Sequence, residues 1–480
     1  MPRSVGTRPH SRLLSILAIS LCTASCAEPA ATPAAPAAGG THSDLVTLFQ
    51  EWRAFEMPDF IEGVPDYSAA AMAAQHAELS SWQARLNALG VADWPVEEQI
   101  DWHLVRAEMN GLDFDHRVRR PWERDPAFYV MMYLSESDVP AHEGPVIHGW
   151  IDTWTYEYPL SADAAAELAE RIGTIPEVLQ QARENLTGNA RDLWHAGLRS
   201  FRGQSADLDA FGAEVAGFSA ELDAAIVAAR EASDAFHDWL DEQLPSKTGP
   251  SGVGKDNYTW YMQNVHLVPY TWEEQVTLMR RELARAHSSL RLEENRNRHL
   301  PELERIDSPE EYDRSLNAAV TEYMRFLEDE EMHAIEDWMD PAVRAVNGRF
   351  TPAEPGEIRN FFSEVTYRDP LAMRTHMHHW IELARMREGP HPSPIRRVPS
   401  LYNIFDHRSE GLATGVEEMF MHAGLFDARP RSRELIWIML AQRAARALSG
   451  LYLHGNEFVM EEAVEHASTW TPRGWLPDGD

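Results

Sequence analysis

The stretch ELIWIMLAQRAARALSGLYLH, residues 434–454, decides the fold. It is too long for an ordinary strand and has no proline. Its apolar residues run almost all the way round at helical spacing, so it reads as a central helix buried on most sides. A helix of that kind needs other helices to cover it, and the rest of the chain supplies them. Trp102, Val105, Met109 and Leu112 step by three and four and fall on one helix face. Leu208, Phe211, Val215, Phe218 and Leu222 do the same. Alternating, strand-like runs are scarce. Proline and glycine gather at 245–254, 352–356 and 389–399, which read as loops between helical blocks. The expected architecture is all-α, a large multi-helix bundle with a central groove. It occupies residues 42–480 as one domain, with a candidate internal break near 245–255.

The first residues read differently. Arg3, Arg8 and Arg12 precede a short apolar run, Leu13 to Thr23, too short to span a bilayer. Thr23-Ala24-Ser25-Cys26 then places small residues before a cysteine, the pattern of a lipoprotein cleavage site. Residues 1–25 are therefore expected to be a signal peptide and Cys26 the lipidated residue. Residues 26–41, rich in alanine and proline, read as an extended tether. Both cysteines of the chain, Cys22 and Cys26, lie in this leader. That leaves the remainder without thiol chemistry, a disulfide or a cysteine-based metal site. The expected place is the bacterial cell envelope, with the membrane touched only through the lipid.

A formal net charge of −33 argues against nucleic acid and anionic lipid as partners and favours cationic ligands. Two motifs fail on inspection. Gly249-Pro250-Ser251-Gly252-Val253-Gly254-Lys255 resembles a phosphate-binding loop, but Asp256 stands where a hydroxyl should hold magnesium, and no apolar strand precedes it. His142-Glu143 and His148 frame a loop interrupted by Gly144-Pro145, so the two histidines cannot share a helix face. His142 and Glu143 remain reserve candidates only.

Several segments together resemble the bacterial domain-of-unknown-function family 885. They are Ile100–Glu108, Trp122–Tyr129, Gly254–Tyr258 with Trp260-Tyr261 and Val268–Trp272, Glu410–Ala413 with Glu417, and Arg443–His454. The resemblance spans about residues 45 to 475. It implies an all-α fold, lipoprotein or secreted status, and a relation to zinc peptidases of the Taq-carboxypeptidase kind. The chain departs from that pattern where the chemistry lies. The family's His-Glu-x-x-Pro-Gly-His-His falls within Thr366–His379, where only His378-His379 remain of it. Gly450 replaces an aspartate, and the family's C-terminal glycine- and tyrosine-rich segment has no counterpart.

The residues themselves offer a substitute. If Pro370 starts a helix, His376 and His379 lie one turn apart beside its apolar side and face protein, as two imidazoles chelating one ion would. His378 falls one turn from Glu382, a surface pair that keeps it in reserve as a ligand. Glu410 and Glu417 share a helix face opposite the stripe Leu412, Val416, Met419 and Ala423, which by periodicity alone leaves both solvated. The resemblance implies that Glu410 is a third metal ligand. Arg443 and Arg446, in the central helix, need carboxylate partners, and Glu410 or Glu417 would serve.

Two functions remain open. One is a metal-dependent hydrolase of peptide or amide bonds, with zinc on His376, His379 and Glu410, Glu417 or Asp369 as base, and His454 or Arg443 steadying the oxyanion. The other is a non-catalytic lipoprotein that keeps the groove to bind a peptide or small envelope ligand.

Overall fold

The computed structural model describes residues 39–139, 142, 144–354, 356–402 and 406–477. The expected signal peptide, the lipidated Cys26, most of the tether and Glu143 lie outside them. Gly40–Asp480 forms one compact unit, and it is all-α as the sequence requires. Among the described residues the strands are two short pairs: Phe60–Ile61 antiparallel to Val64–Pro65, and Met132–Tyr133 parallel to Ile151–Asp152.

The unit has two main apolar cores. The first is built from the segment between Val64 and Leu240, around Trp194, Phe201, Phe211 and Phe236. The second lies between Leu290 and Leu476, around Tyr323, Phe361, Phe420 and Phe426. The segment 245–255 runs between them in sequence. There the glycines that imitate a phosphate loop serve close packing. A Cβ on Gly252 would come within 2.4 Å of the Leu453 carbonyl oxygen, and one on Gly249 within 2.0 Å of that of Asn189. Lys255 pairs with Glu457 and sits over the Trp272 ring.

The central helix spans Ser432–His454. Leu435, Ile436, Trp437, Ile438 and Met439 enter the second core. One turn further, Ala441, Ala444, Ala445 and Leu448 pack against Trp272, Val276, Leu283 and Ala286 of the helix Trp272–Asn297. Small alanines at the crossing let the two backbones approach. The long helix Trp272–Asn297 is started by a capping box in which Thr271 and Glu274 satisfy each other's backbone N–H groups. Not every guanidinium of the central helix needs a partner: Arg443 is enclosed, but Arg446 is exposed.

The expected face from Leu208 to Leu222 is broken. A helix runs Arg191–Glu214 and the next starts at Ala220, after Gly217 with φ of +74° and a cap in which Ser219 Oγ accepts from Leu222 N. Leu208, Phe211, Val215 and Leu222 are still buried, but Phe218 sits in the turn and is 45% exposed. A left-handed glycine followed by a capping serine overrides an unbroken apolar period.

Candidate metal centre

Four helices meet at the candidate site. Asp369 caps the short helix Pro370–His376, accepting from Leu371 N. Met377 interrupts the helical run, and a second helix, His378–Glu388, follows. The break leaves the rings of His376 and His379 perpendicular, with centroids 4.8 Å apart. The helix Asp406–Ala423 contributes Glu410 and Glu417, and the central helix contributes Arg443.

His376 Nε2 lies 3.7 Å from one oxygen of Glu410, and His379 Nε2 lies 3.9 Å from the other. One ligand atom from each of His376, His379 and Glu410 falls within 4.8 Å of the others. The imidazoles are buried, while the Glu410 side chain is 38% exposed, so the group opens to solvent on its carboxylate side. Burial, reinforced by His376, His378 and Arg443, pushes the imidazole of His379 down to about 3. Its Nδ1 is buried without a hydrogen bond. Two nitrogens and one oxygen at this spacing could hold a borderline divalent ion such as zinc, with a position left for water.

Behind this group lies an ion pair. Arg443 reaches both oxygens of Glu417, each at 2.8 Å. Glu417 Oε1 is also 3.0 Å from His376 Nδ1, and Arg443 Nη2 is 3.2 Å from the same nitrogen. Glu417 is 2% exposed. The periodicity reading, which left both glutamates in water, is corrected for Glu417, while Glu410 stays partly exposed. The helix turns Ala413, Val416, Glu417, Phe420 and Met421 inward and leaves Leu412 and Met419 outside. What the hydrophobic pattern could not count is that Arg443 makes a buried Glu417 tolerable. Taken up by Arg443, Glu417 has a positioning role beside His376.

Other candidates are elsewhere. Asp369 is at the far end of its helix, about 10 Å of rise from His376, and is taken up by Arg429, Ser432 and the cap. It cannot act as a base there. His454 lies eleven residues beyond Arg443, about 16 Å along the central helix. It stacks near Tyr258, and burial lowers its imidazole from the usual range. It cannot steady an oxyanion at the histidine pair. His142 packs on Tyr133 and Trp150 and lies 3.2 Å from Asp152, around a different cavity.

His378 is not on the surface: it is 4% exposed. It groups with Glu382 and with His333, a residue the sequence reading missed because it lies 45 positions away in a loop. In this second group Arg385 Nη2 is 2.8 Å from His333 Nε2 and Nη1 is 3.3 Å from Glu382, so a guanidinium already supplies the positive charge.

Residues 58–362 match the model of a bacterial family of proteins of unknown function, DUF885. The chain belongs to this family. The matched stretch ends before His376, so the candidate centre lies outside it. No curated protein matches the sequence. Among solved structures, the chain resembles a "putative lipoprotein of unknown function" from Shewanella oneidensis, with a TM-score of 0.62 and 13% identity over 92% of this chain and 90% of that one. It also resembles a "putative lipoprotein" from Colwellia psychrerythraea, with a TM-score of 0.60 and 12% identity over 92% and 88%. At such identity the likeness establishes the shared fold. Among the described residues no helix is long and apolar enough to cross a membrane.

Proposed function

We propose that this DUF885 protein is a metal-dependent hydrolase of the cell envelope, acting on peptide or amide bonds and anchored through a lipid on Cys26. One observation carries the reading: His376, His379 and Glu410, brought from three helices, present their ligand atoms within 4.8 Å of one another at a spot that opens to water. The fit is supported by the donor set, two imidazoles and a carboxylate. An ion held there would supply an acidified water and a polarised carbonyl. The chain's own residues do the rest. Arg443 holds His376 at Nδ1, with Glu417 3.0 Å from the same nitrogen. Arg443 offsets the charge of Glu417. Glu410 contributes the exposed ligand, on the side from which a substrate would approach.

The envelope location is consistent with the names of the structural neighbours and with the leader. A Cys26→Ala variant should appear in the soluble envelope fraction instead of with membranes; unchanged membrane association would reject the anchor.

Arg443 favours a second reading. Its guanidinium at 3.2 Å from His376 Nδ1 already balances the buried carboxylate without an ion, as expected of a helical protein that binds a peptide without cleaving it. Hydrolysis of a mixed peptide pool, followed by mass spectrometry, separates the two. The hydrolase reading expects cleavage that a chelator stops and zinc restores, and that His379→Ala abolishes with helical content intact. Peptide capture without cleavage, indifferent to chelator, would establish the second reading.

A further inference from the structure

The first core holds a cavity of about 90 Å³ that has no part in the histidine site. Five aromatic side chains, Tyr67, Trp122, Phe128, Trp150 and Tyr402, face it, with Glu56 at its edge. Glu56 ends the helix His42–Glu56 and is 8% exposed. Among the described residues its carboxylate pairs with His148 Nε2, at 3.4 Å. The other ring nitrogen of His148 is 2.6 Å from the Tyr67 hydroxyl. Asp115 and Arg119 also reach the cavity from a single π-helical turn, Asp115–Arg119, but they neutralise each other: Arg119 Nε donates to Asp115 Oδ1 at 2.5 Å. With that pair balanced, Glu56 is the remaining carboxylate on the cavity lining.

A largely buried carboxylate attracts a cation or hydrogen-bond donors that approach it. Aromatic faces are the other feature that attracts a positive charge. A metal ion would want more than one carboxylate or imidazole aimed at one point. A ring-lined hollow with one anion at its edge suits instead a compact positive charge carried on a hydrocarbon body. The Tyr67 hydroxyl, whose ionisation burial and Glu56 push well above the usual phenol range, stays protonated and cannot compete as an anion.

We propose that this cavity binds a small organic cation, an alkylammonium, with the charge on Glu56 and the alkyl groups against Tyr67, Trp122, Trp150 and Tyr402. The overall acidity of the chain raises the local concentration of such ligands. The proposal does not depend on the metal reading, since no residue is shared with His376, His379 or Glu410.

Isothermal titration calorimetry of the purified full chain with ethylammonium and trimethylammonium chloride tests it, with ethanol as the uncharged control. Both cations should bind saturably and ethanol should not. Glu56→Gln should weaken both cations at least about tenfold while leaving zinc binding at the histidine site unchanged. Trp150→Leu, which removes one half-buried ring and no charge, should weaken trimethylammonium more than ethylammonium; it carries the test if Glu56→Gln fails to fold by circular dichroism. The proposal is overturned if folded Glu56→Gln binds like the wild type, if ethanol binds as well as ethylammonium, if Trp150→Leu leaves trimethylammonium binding unchanged, or if neither cation gives saturable heat.

Discussion

Arg443 and Glu417 bury opposite charges through one hydrogen bond and one charge contact, each at 2.8 Å, and each is tolerable only because of the other. Glu417→Gln should therefore destabilise the protein by about 3–5 kcal/mol, read as a lowered denaturation midpoint. A loss under about 1 kcal/mol would mean that Arg443 finds another partner. A second buried carboxylate has the opposite leaning. Glu108 accepts from Ser400 Oγ and Leu401 N, yet burial raises it to about 6 from 4.5. A folded-state value above the unfolded one means that the native state holds the proton more tightly. The stability from this group is full below about pH 4.5 and is lost as pH rises through about 6. Its size is about 2 kcal/mol. Glu108→Gln should flatten that part of the stability–pH curve and raise stability at pH 7; an unaltered slope would contradict the assignment. At this scale the sequence showed part of the site. The spacing of His376 and His379 on an amphipathic stretch was enough to turn both inward. The apolar period of its own helix hid the burial of Glu417; the pointer to it was Arg443, 26 residues away in the central helix, whose need for a carboxylate left Glu410 and Glu417 both open.

Helices follow their apolar period wherever no capping residue intervenes. The central helix was legible nearly to its ends because almost every position is apolar, so no face had to be chosen. The glutamate helix was not, because its two sides carry comparable apolar residues and packing chose the side with Phe420 and Met421. Crossing of the central helix with Trp272–Asn297 depends on Ala441, Ala444 and Ala445. Ala445→Leu should overpack this contact and cost about 1–3 kcal/mol, seen as a fall in Tm with helical content retained; an unchanged Tm would show that the helices have room to part. Short helices decide the site. Had Pro370–Glu388 been one straight helix, as the sequence reading took it, nothing would distinguish its histidines from ordinary i, i+3 neighbours. The interruption at Met377 sets their rings perpendicular.

Across the whole molecule, the family match covers the first core and stops at residue 362, while the candidate centre is built from the last quarter of the chain. The fold is shared with two solved structures at 12–13% identity. By the resemblance, the family's histidine and glutamate fall either on Arg368-Asp369 or on Ala372-Met373, and neither place carries them; His376 and His379 stand toward Glu410. The arrangement either retains an ion or has become an ion-pair network around Arg443. Elemental analysis of the purified protein decides between them. The metal-centre account predicts about one zinc per chain, lost in a His376→Ala/His379→Ala double variant that keeps its helical circular dichroism. Wild-type protein that carries no metal after equilibration with zinc, or a double variant that keeps its full complement, would contradict it.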